Sequence, residues 1–175
     1  MACTLTSGRA LPCKSSVGGL KSVYFADYGS LGTATVSSGE VTAISGSPTI
    51  FEYDIKGNSS LETNINSSRE NGTTFYTQTL NLTLPVLDKS TQEEIKLLSA
   101  ARPHVFVEDY NGNFFVVGLD HGAEVTGGTV VSGAAMGDLS GFTLTFEGQE
   151  TSPPFFVTST VVTDNASSTK IDPNA

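Results

Sequence analysis

Apolar residues recur at helical spacing in one stretch of the chain, Ser90–Ala101. Ile95, Leu98 and Ala101 follow one another at three-residue intervals, and Leu97 widens the stripe that they form. A helix of about twelve residues is marginal when it stands alone in water. We therefore expect this helix to bury Ile95, Leu97 and Leu98 against a sheet.

Both ends of this helix carry sequence signals. Ser90 and Glu93 have the spacing of a capping box, in which each side chain accepts a hydrogen bond from the other residue's backbone N–H. Glu93 and Glu94 are also expected in the first turn, where the helix dipole favours carboxylates. Pro103 ends the pattern, because proline lacks the backbone N–H that a continuing helix needs.

A β-hairpin is predicted directly after the helix. Apolar residues alternate along His104–Tyr110 and Asn113–Asp120, and the Asn111-Gly112 pair between them is typical of a type I′ turn. Both faces of this hairpin are apolar near its middle. We therefore expect it to lie between the helix and a second sheet.

A second, longer hairpin is predicted from Ser60 to Leu84, with its turn at Asn71-Gly72. Its first strand is polar, whereas its second strand becomes apolar toward Leu84. The tip is too polar to be buried. We therefore expect a hairpin that is rooted in the core near Leu84 and projects from the body, where its unpaired strand edges favour docking on another subunit.

Further strands are predicted from shorter apolar runs that are bounded by turn residues. They are Leu20–Tyr28, Glu40–Ser45, Thr49–Lys56, Leu139–Glu147 and Phe155–Thr163, with Ala123–Ser132 as a strand pair or an irregular strand interrupted by Gly127-Gly128. Residues 1–19 are expected to form an extended arm and residues 164–175 a flexible tail. The pattern predicts a mainly β domain over residues 20–163, with a single α-helix.

Composition and charge narrow the range of partners. Charged residues make up 15% of the chain, and the formal net charge is −9. Binding to nucleic acid through phosphate neutralisation needs clustered Lys and Arg, which an acidic chain does not supply. The same charge gives no attraction to anionic membranes. No apolar run approaches the roughly 18 residues of a membrane-spanning helix, so no membrane partner is expected.

The opening segment carries both cysteines, Cys3 and Cys13. They are either free thiols or a single bridge, and the spacing alone leaves both open. The segment MACTLTSGRALPCKSS has no apolar core of a signal peptide, which favours free thiols.

Motifs for catalysis and for cofactors are missing from the sequence. It contains no GxGxxG after a strand, no Walker motif, no HExxH and no GxSxG. His121 and Asp120 can be combined with a serine on paper, but a histidine at the end of a strand is the simpler interpretation. We expect no enzyme activity and no cofactor.

One segment has the spacing of a calcium loop. Asp109, Asn111 and Asn113 match the D-x-N-x-N pattern, and Asp120 falls near the position of its last ligand. Phe114, however, occupies the position at which such a loop requires glycine. The hairpin turn explains the same residues more simply, so no metal is expected.

Acidic side chains are scattered over strands and turns. Most of them are expected to form a solvated surface. The alternative is that some of them line a shared negative surface when subunits assemble. Such a surface repels DNA and lets it slide past without binding.

The order of these elements resembles the tail tube proteins of long-tailed bacteriophages. The features that carry the resemblance are the extended arm, the projecting hairpin, the helix at Ser90–Ala101 that leads into the Val105–Leu119 hairpin, and the Phe142–Glu147 strand followed by Gly148-Gln149-Glu150 and a Pro-Pro turn. The opening MACTLTSGRALPC is also similar to the start of phage structural proteins. The resemblance covers about residues 1–160 in outline and rests on no motif as specific as a catalytic signature.

The resemblance implies both a fold and an assembly. The fold is two packed antiparallel sheets, sandwich-like or barrel-like, with a single flanking helix, a projecting hairpin and extended terminal arms. Six copies form a ring whose inner β-barrel is a DNA channel, and the rings stack into a tube in the virion after assembly in the host cytoplasm. Partners are other copies of the chain and other tail or connector proteins, while DNA passes without specific binding.

The hairpin tip and the arm are the implied contacts between subunits or rings. The candidate residues are Arg69, Glu70, Asn71, Gly72, Thr73, Leu11 and Pro12. Two alternatives remain open: a head–tail connector or tail terminator ring, and a β-sandwich module for capsid decoration or adhesion.

Overall fold

Strands dominate the fold. The computed structural model describes residues 5–55 and 57–173, and 45% of the chain lies in strands against 10% in helices. The elements are β1 (Leu20–Ala26), β2 (Ala34–Ser37), β3 (Glu40–Ile44), β4 (Ile50–Asp54), β5 (Ser60–Ser68), β6 (Thr73–Pro85), α1 (Lys89–Ala100), β7 (His104–Asp109), β8 (Phe114–Val117), β9 (Glu124–Val131), β10 (Gly141–Glu150), β11 (Phe155–Val157) and α2 (Ser159–Thr163). The predicted mainly β class is confirmed.

The strands form two packed sheets. Sheet A has seven strands in the order β2-β3-β11-β8-β7-β1-β4, and sheet B has four in the order β5-β6-β10-β9. Every pair is antiparallel except β11 with β3. Neither sheet closes into a barrel, so the sandwich form of the prediction is correct.

The main core lies between the two sheets. Phe25 of sheet A meets Phe146 of sheet B with their ring centroids 5.2 Å apart, and Leu80 lies opposite Phe146 on the neighbouring strand. Because side chains alternate along a strand, Val105 and Val107 enter the same core from β7. All five side chains are buried.

A second core covers the other face of sheet A. Phe106 and Val116 point away from sheet B and pack with Val161 and Val162 of α2. The expectation that the β7–β8 hairpin is covered on both faces is therefore correct. The covering helix, however, is α2 rather than the predicted helix.

The sequence predicts a single strand over residues 155–163, but only the first three of these residues are in a strand. Phe155–Val157 pairs with β8 on one side and with β3 on the other, and α2 follows. Val161 and Val162 are both buried in the second core. Consecutive residues of a strand point to opposite faces, whereas a helical turn can direct both toward one face, so packing outweighs the strand preference of valine.

The N-cap of α1 lies two residues before the predicted cap. Asp88 caps the helix, because its Oδ2 accepts the backbone N–H of Thr91 at 2.8 Å. The predicted capping box of Ser90 and Glu93 is therefore wrong, and Glu93 and Glu94 lie beyond the first turn. The helix ends at Ala100, ahead of Pro103 as expected.

α1 buries less of its apolar stripe than predicted. Ile95 and Leu98 pack partly against the main core, but the helix has no fully buried residue. Leu97 is 63% exposed, which contradicts its predicted burial. The reason is position: α1 lies at the side of the sandwich and contacts β9, so only one edge of its stripe reaches the core.

Both predicted hairpins exist, but neither has a type I′ turn. That turn needs positive φ at both central residues. Gly72 and Gly112 have φ of 62° and 81°, whereas Asn71 and Asn111 do not enter this region. Longer loops with a single left-handed glycine replace the predicted two-residue turns.

The long hairpin is mostly part of sheet B rather than a free ribbon. β10 pairs with β6 from Tyr76 to Pro85, so a third strand supports most of the hairpin. Only the part between Asn66 and Phe75 extends beyond this third strand. The predicted projection is therefore limited to residues 66–75.

β9 is one strand, not a strand pair. It is irregular, because the register shifts between Thr145 and Phe146 of β10, where Thr126 is an extra residue on β9 next to Gly127. A Cβ on Gly128 would lie 2.5 Å from the Thr143 carbonyl oxygen, so the close approach of the two strands requires glycine. The short strand β2 is absent from the sequence-based prediction.

The segment after α2, predicted as a flexible tail, lies along β4. Ile50 donates its N–H to the Asn165 carbonyl and accepts the N–H of Ser167. Lys170 Nζ then lies 2.9 Å from Glu52 Oε2 and 2.8 Å from Asp54 Oδ2. These contacts anchor the segment to the edge of sheet A at its described residues.

We expect Phe146→Ala to lower the free energy of unfolding by about 3–5 kcal/mol, because it leaves a cavity between the sheets. Leu97→Ala should change it by less than about 0.5 kcal/mol, because that side chain is largely in solvent. Urea denaturation of both variants measures the two values. A large loss for Leu97→Ala would contradict the placement of α1 at the side of the sandwich.

Candidate assembly surfaces

The outer face of sheet B is an ordered polar surface. The strand registers align its outward residues in rows across the sheet: one row is Ser60, Asn81, Thr145 and Gly127, and the next is Thr83, Thr143 and Thr129. Neighbours within the rows are hydrogen-bonded, as Thr145 Oγ1 is to Asn81 Oδ1 at 3.0 Å. The face is therefore polar across its width.

The charged side chains on the outer face of sheet B are all negative. Glu62, Thr79, Glu147 and Glu124 form a third row, one residue from each strand of sheet B. The four strands contain no Lys or Arg. With no cation to offset them, the three carboxylates give a surface that repels phosphate groups.

Sheet B also ends in two long edge strands, β5 and β9, with nine and eight residues. An edge strand presents unpaired N–H and C=O groups that can accept a strand of another chain. Ile65 on β5 is 68% exposed, although it lies on the same face of the strand as Leu61, which packs against the main core. At the edge of sheet A, in contrast, the segment 165–170 already contacts β4.

The candidate tip residues all lie on the surface. Arg69, Glu70, Asn71, Gly72 and Thr73 are exposed at the end of the β5–β6 hairpin, as the sequence predicted. Within the turn, the Asn71 N–H donates to Ser68 Oγ at 3.3 Å. The tip is therefore available to a second molecule.

The candidate arm residues lie on a separate element. Leu11 is 97% exposed, and Pro12 is also in solvent. The arm joins the body beside the β7–β8 turn, where Asn111 both accepts the Val17 N–H at 3.0 Å and donates to the Val17 carbonyl at 2.7 Å. The structure thus places arm and tip on different elements.

Cys13 is an exposed free thiol, whereas Cys3 lies outside the described residues.

The segment with calcium-loop spacing is a hairpin turn. Asp109 Oδ1 accepts the backbone N–H groups of Asn111 and Asn113 at 2.9 and 2.8 Å, and its Oδ2 accepts the Asn113 side chain at 3.0 Å. Burial alone would raise the pKa of Asp109, but these hydrogen bonds outweigh it and lower the pKa. The carboxylate oxygens are thus used within the turn.

The two histidines hold the connection between β8 and β9. His104 Nε2 accepts the Gly29 N–H at 3.0 Å, and its Nδ1 lies 2.7 Å from the Gly118 carbonyl oxygen. His121 Nδ1 lies 2.9 Å from Glu150 Oε2. The buried Glu150 carboxylate also accepts the backbone N–H groups of Asp120 and His121.

The sequence interpretation missed the acidic row. Glu62 and Glu124 are separated by more than sixty positions in the chain, and only the strand registers place them in line with Glu147. The available signal was the lack of Lys and Arg from the four strands. This lack predicts the sign of the surface charge, but not the alignment of the carboxylates in one row.

Comparison of the chain with protein-family models, with curated proteins and with solved structures gives no match. Neither helix of the described residues has the length and apolar character needed to cross a membrane. Within residues 5–55 and 57–173, no group of three or more His, Cys, Asp or Glu side chains is placed to hold a metal ion.

We expect stability to fall as the pH is lowered below about 6.5, in part because burial lowers the pKa of His104 in the folded chain. The neutral ring is favoured by folding, so its contribution is complete above the unfolded pKa of about 6.5 and is lost as the pH falls toward the folded value. His104→Asn should reduce the slope of unfolding free energy against pH between pH 7 and 5. An unchanged slope, measured by urea denaturation, would contradict this role.

Proposed function

We propose that this chain is the tail tube subunit of a long-tailed bacteriophage, a virion structural protein that assembles into stacked rings around an acidic channel. The observation that carries the proposal is sheet B: its outer face is polar and acidic without Lys or Arg in its strands, and no described residue adds a strand to either of its long edges.

Ring closure follows from the edges of sheet B. In the proposed ring, β5 of one copy pairs with β9 of the next, so that the four-stranded sheets join into one barrel. Six copies supply about 24 strands. At a strand spacing of about 4.8 Å and a tilt of about 40°, the backbone of such a barrel is about 50 Å across. A duplex of B-form DNA fits within it.

The outer face of sheet B is the channel lining in this arrangement. Glu62, Glu124 and Glu147 of each copy then form a ring of carboxylates around the DNA path. Like charge keeps the phosphate backbone away from the wall, so DNA passes without binding.

Stacking needs contacts along the tube axis, and the hairpin tip and the arm are the proposed sources. Both are exposed. In the proposed tube each of them contacts a different surface of the next ring, so the contact between rings is head-to-tail and can be repeated along the tube. A head–tail connector or terminator would share the ring but not the repeated stacking.

The purified protein is expected to form rings or hollow tubes with a central channel in negative-stain electron microscopy. Ile65→Lys should raise the protein concentration needed for rings tenfold or more, because a charge on an edge strand opposes strand pairing. Val36→Lys is the matched control, since Val36 is an exposed residue on β2 at the edge of sheet A. A wild-type chain that stays monomeric at high concentration would contradict the proposal.

Shortening the hairpin tip should separate stacking from ring closure. Replacement of residues 69–72 by Asn-Gly keeps Ser68 paired with Thr73 and removes the charges of Arg69 and Glu70. We expect rings that no longer stack into tubes, with unchanged stability of the subunit. Tubes of normal length, counted by electron microscopy, would show that the tip is not an inter-ring contact.

A further inference from the structure

A groove of about 570 Å³ runs along the side of the sandwich between α1 and β4. Phe25, Tyr53 and Leu84 contribute to its lining from strands of both sheets. α1 lines it on one side, and β4 with the segment 169–173 lines it on the other. The groove is the open side of the sandwich that α1 covers only in part.

The apolar surface of this groove has no partner within the described chain. Leu97 of α1, Phe51 of β4, Val86 and Ile171 all line it and are each more than a third exposed. Apolar residues exposed together on one concave surface are typical of a docking site. Packing within the chain does not explain why Leu97 is so exposed. A second molecule that covers this side chain would explain it.

The groove is also acidic. Its charged lining residues are Asp27, Glu52, Asp54, Glu94 and Lys170, four acids against one base. Lys170 is already paired with Glu52 and Asp54. Burial and the nearby charge of Glu94 raise the pKa of Tyr53 to about 12, so its hydroxyl keeps its proton and can act as a donor. An occupant of the groove should therefore be apolar and basic.

The arm has this composition. Its residues 5–19 are exposed throughout, and its only charged side chains are Arg9 and Lys14. No described residue of the same chain covers Leu5 or Leu11, which are 100% and 97% exposed. The arm therefore offers two cations and two free leucines against a groove with a net charge of 1 − 4 = −3.

The arm of the same chain joins the body away from this groove, and none of its described residues lines the groove. Asn111 holds Val17 beside the β7–β8 turn, and β7 and β4 flank β1 on opposite sides. The groove borders β4, whereas the arm leaves on the β7 side. The natural donor is therefore the arm of another copy.

We propose that the N-terminal arm of one copy docks in the α1–β4 groove of a second copy. Leu11 covers the apolar surface around Leu97, and Arg9 and Lys14 face the groove carboxylates. Arm and groove are different surfaces of the chain, so the contact is head-to-tail and can be repeated. This inference rests on the proposed function in taking another copy as the partner, and it adds the surface that receives the arm.

A directed disulfide between two different chains tests the docking. The donor chain carries Cys3→Ser and keeps Cys13, while the receiver, distinguished by an added mass tag, carries Cys3→Ser, Cys13→Ser and Leu97→Cys. A disulfide needs Cα atoms within about 7 Å, so only a docked arm reaches the new thiol efficiently. With dissolved dioxygen as the oxidant, which takes up the two electrons and two protons of the thiols, we expect the mixed disulfide to form at least tenfold faster than with a receiver that carries Val36→Cys, an exposed position on β2. Equal rates would overturn the proposal.

Charge reversal tests the recognition separately from the thiol chemistry. Asp27→Lys with Glu94→Lys in the receiver should slow the mixed disulfide about tenfold. Arg9→Glu with Lys14→Glu in the donor should restore the rate by reversing both sides of the contact. Failure of the second pair to restore it would show that these charges do not select the arm.

Electron microscopy of the same samples separates the two proposals. Specific cross-linking without rings or tubes would support arm docking and contradict the tail tube function. Rings and tubes without specific cross-linking would support the tail tube function and overturn arm docking.

Discussion

Packing of Phe25 from sheet A against Phe146 and Leu80 from sheet B is the contact on which the rest of the structure depends. It joins residues far apart in the chain and uses one face of sheet B completely. The other face of sheet B must then be polar, because nothing in the described chain covers it. The polarity of the outer face is thus a direct consequence of how the core is built, whereas its negative charge comes from the lack of Lys and Arg in the four strands.

The sequence predicts the strands well where alternation of apolar and polar residues within the segment itself determines the structure. β6 and β10 alternate over many residues, and each hairpin has a glycine at its turn, so existence and position are correct. The turn types are not, because a glycine can serve a two-residue turn or a longer loop equally well. That choice depends on side chains such as Asp109, whose hydrogen bonds favour the longer loop.

Errors arise where tertiary packing decides the outcome. Val161 and Val162 have strand preferences, and a helix forms because both residues enter the second core. Asp88 replaces Ser90 as the cap, although both residue types are suitable and only the path of the chain distinguishes them. The exposure of the candidate residues at the tip and the arm is predictable from polarity and composition. The acidic row was not, since register across four strands cannot be deduced from one sequence.

The strand β11 has a consequence for the order of folding. Its three residues lie between β8 and β3, so among the described strands they alone connect β2 and β3 to the rest of sheet A. During synthesis, sheet A cannot be completed until residue 157 has left the ribosome. The β2–β3 hairpin, although made early, must wait for a strand made more than a hundred residues later, and closing so long a loop is slow. A nascent chain therefore cannot present a finished sandwich to other copies before β11 has been made.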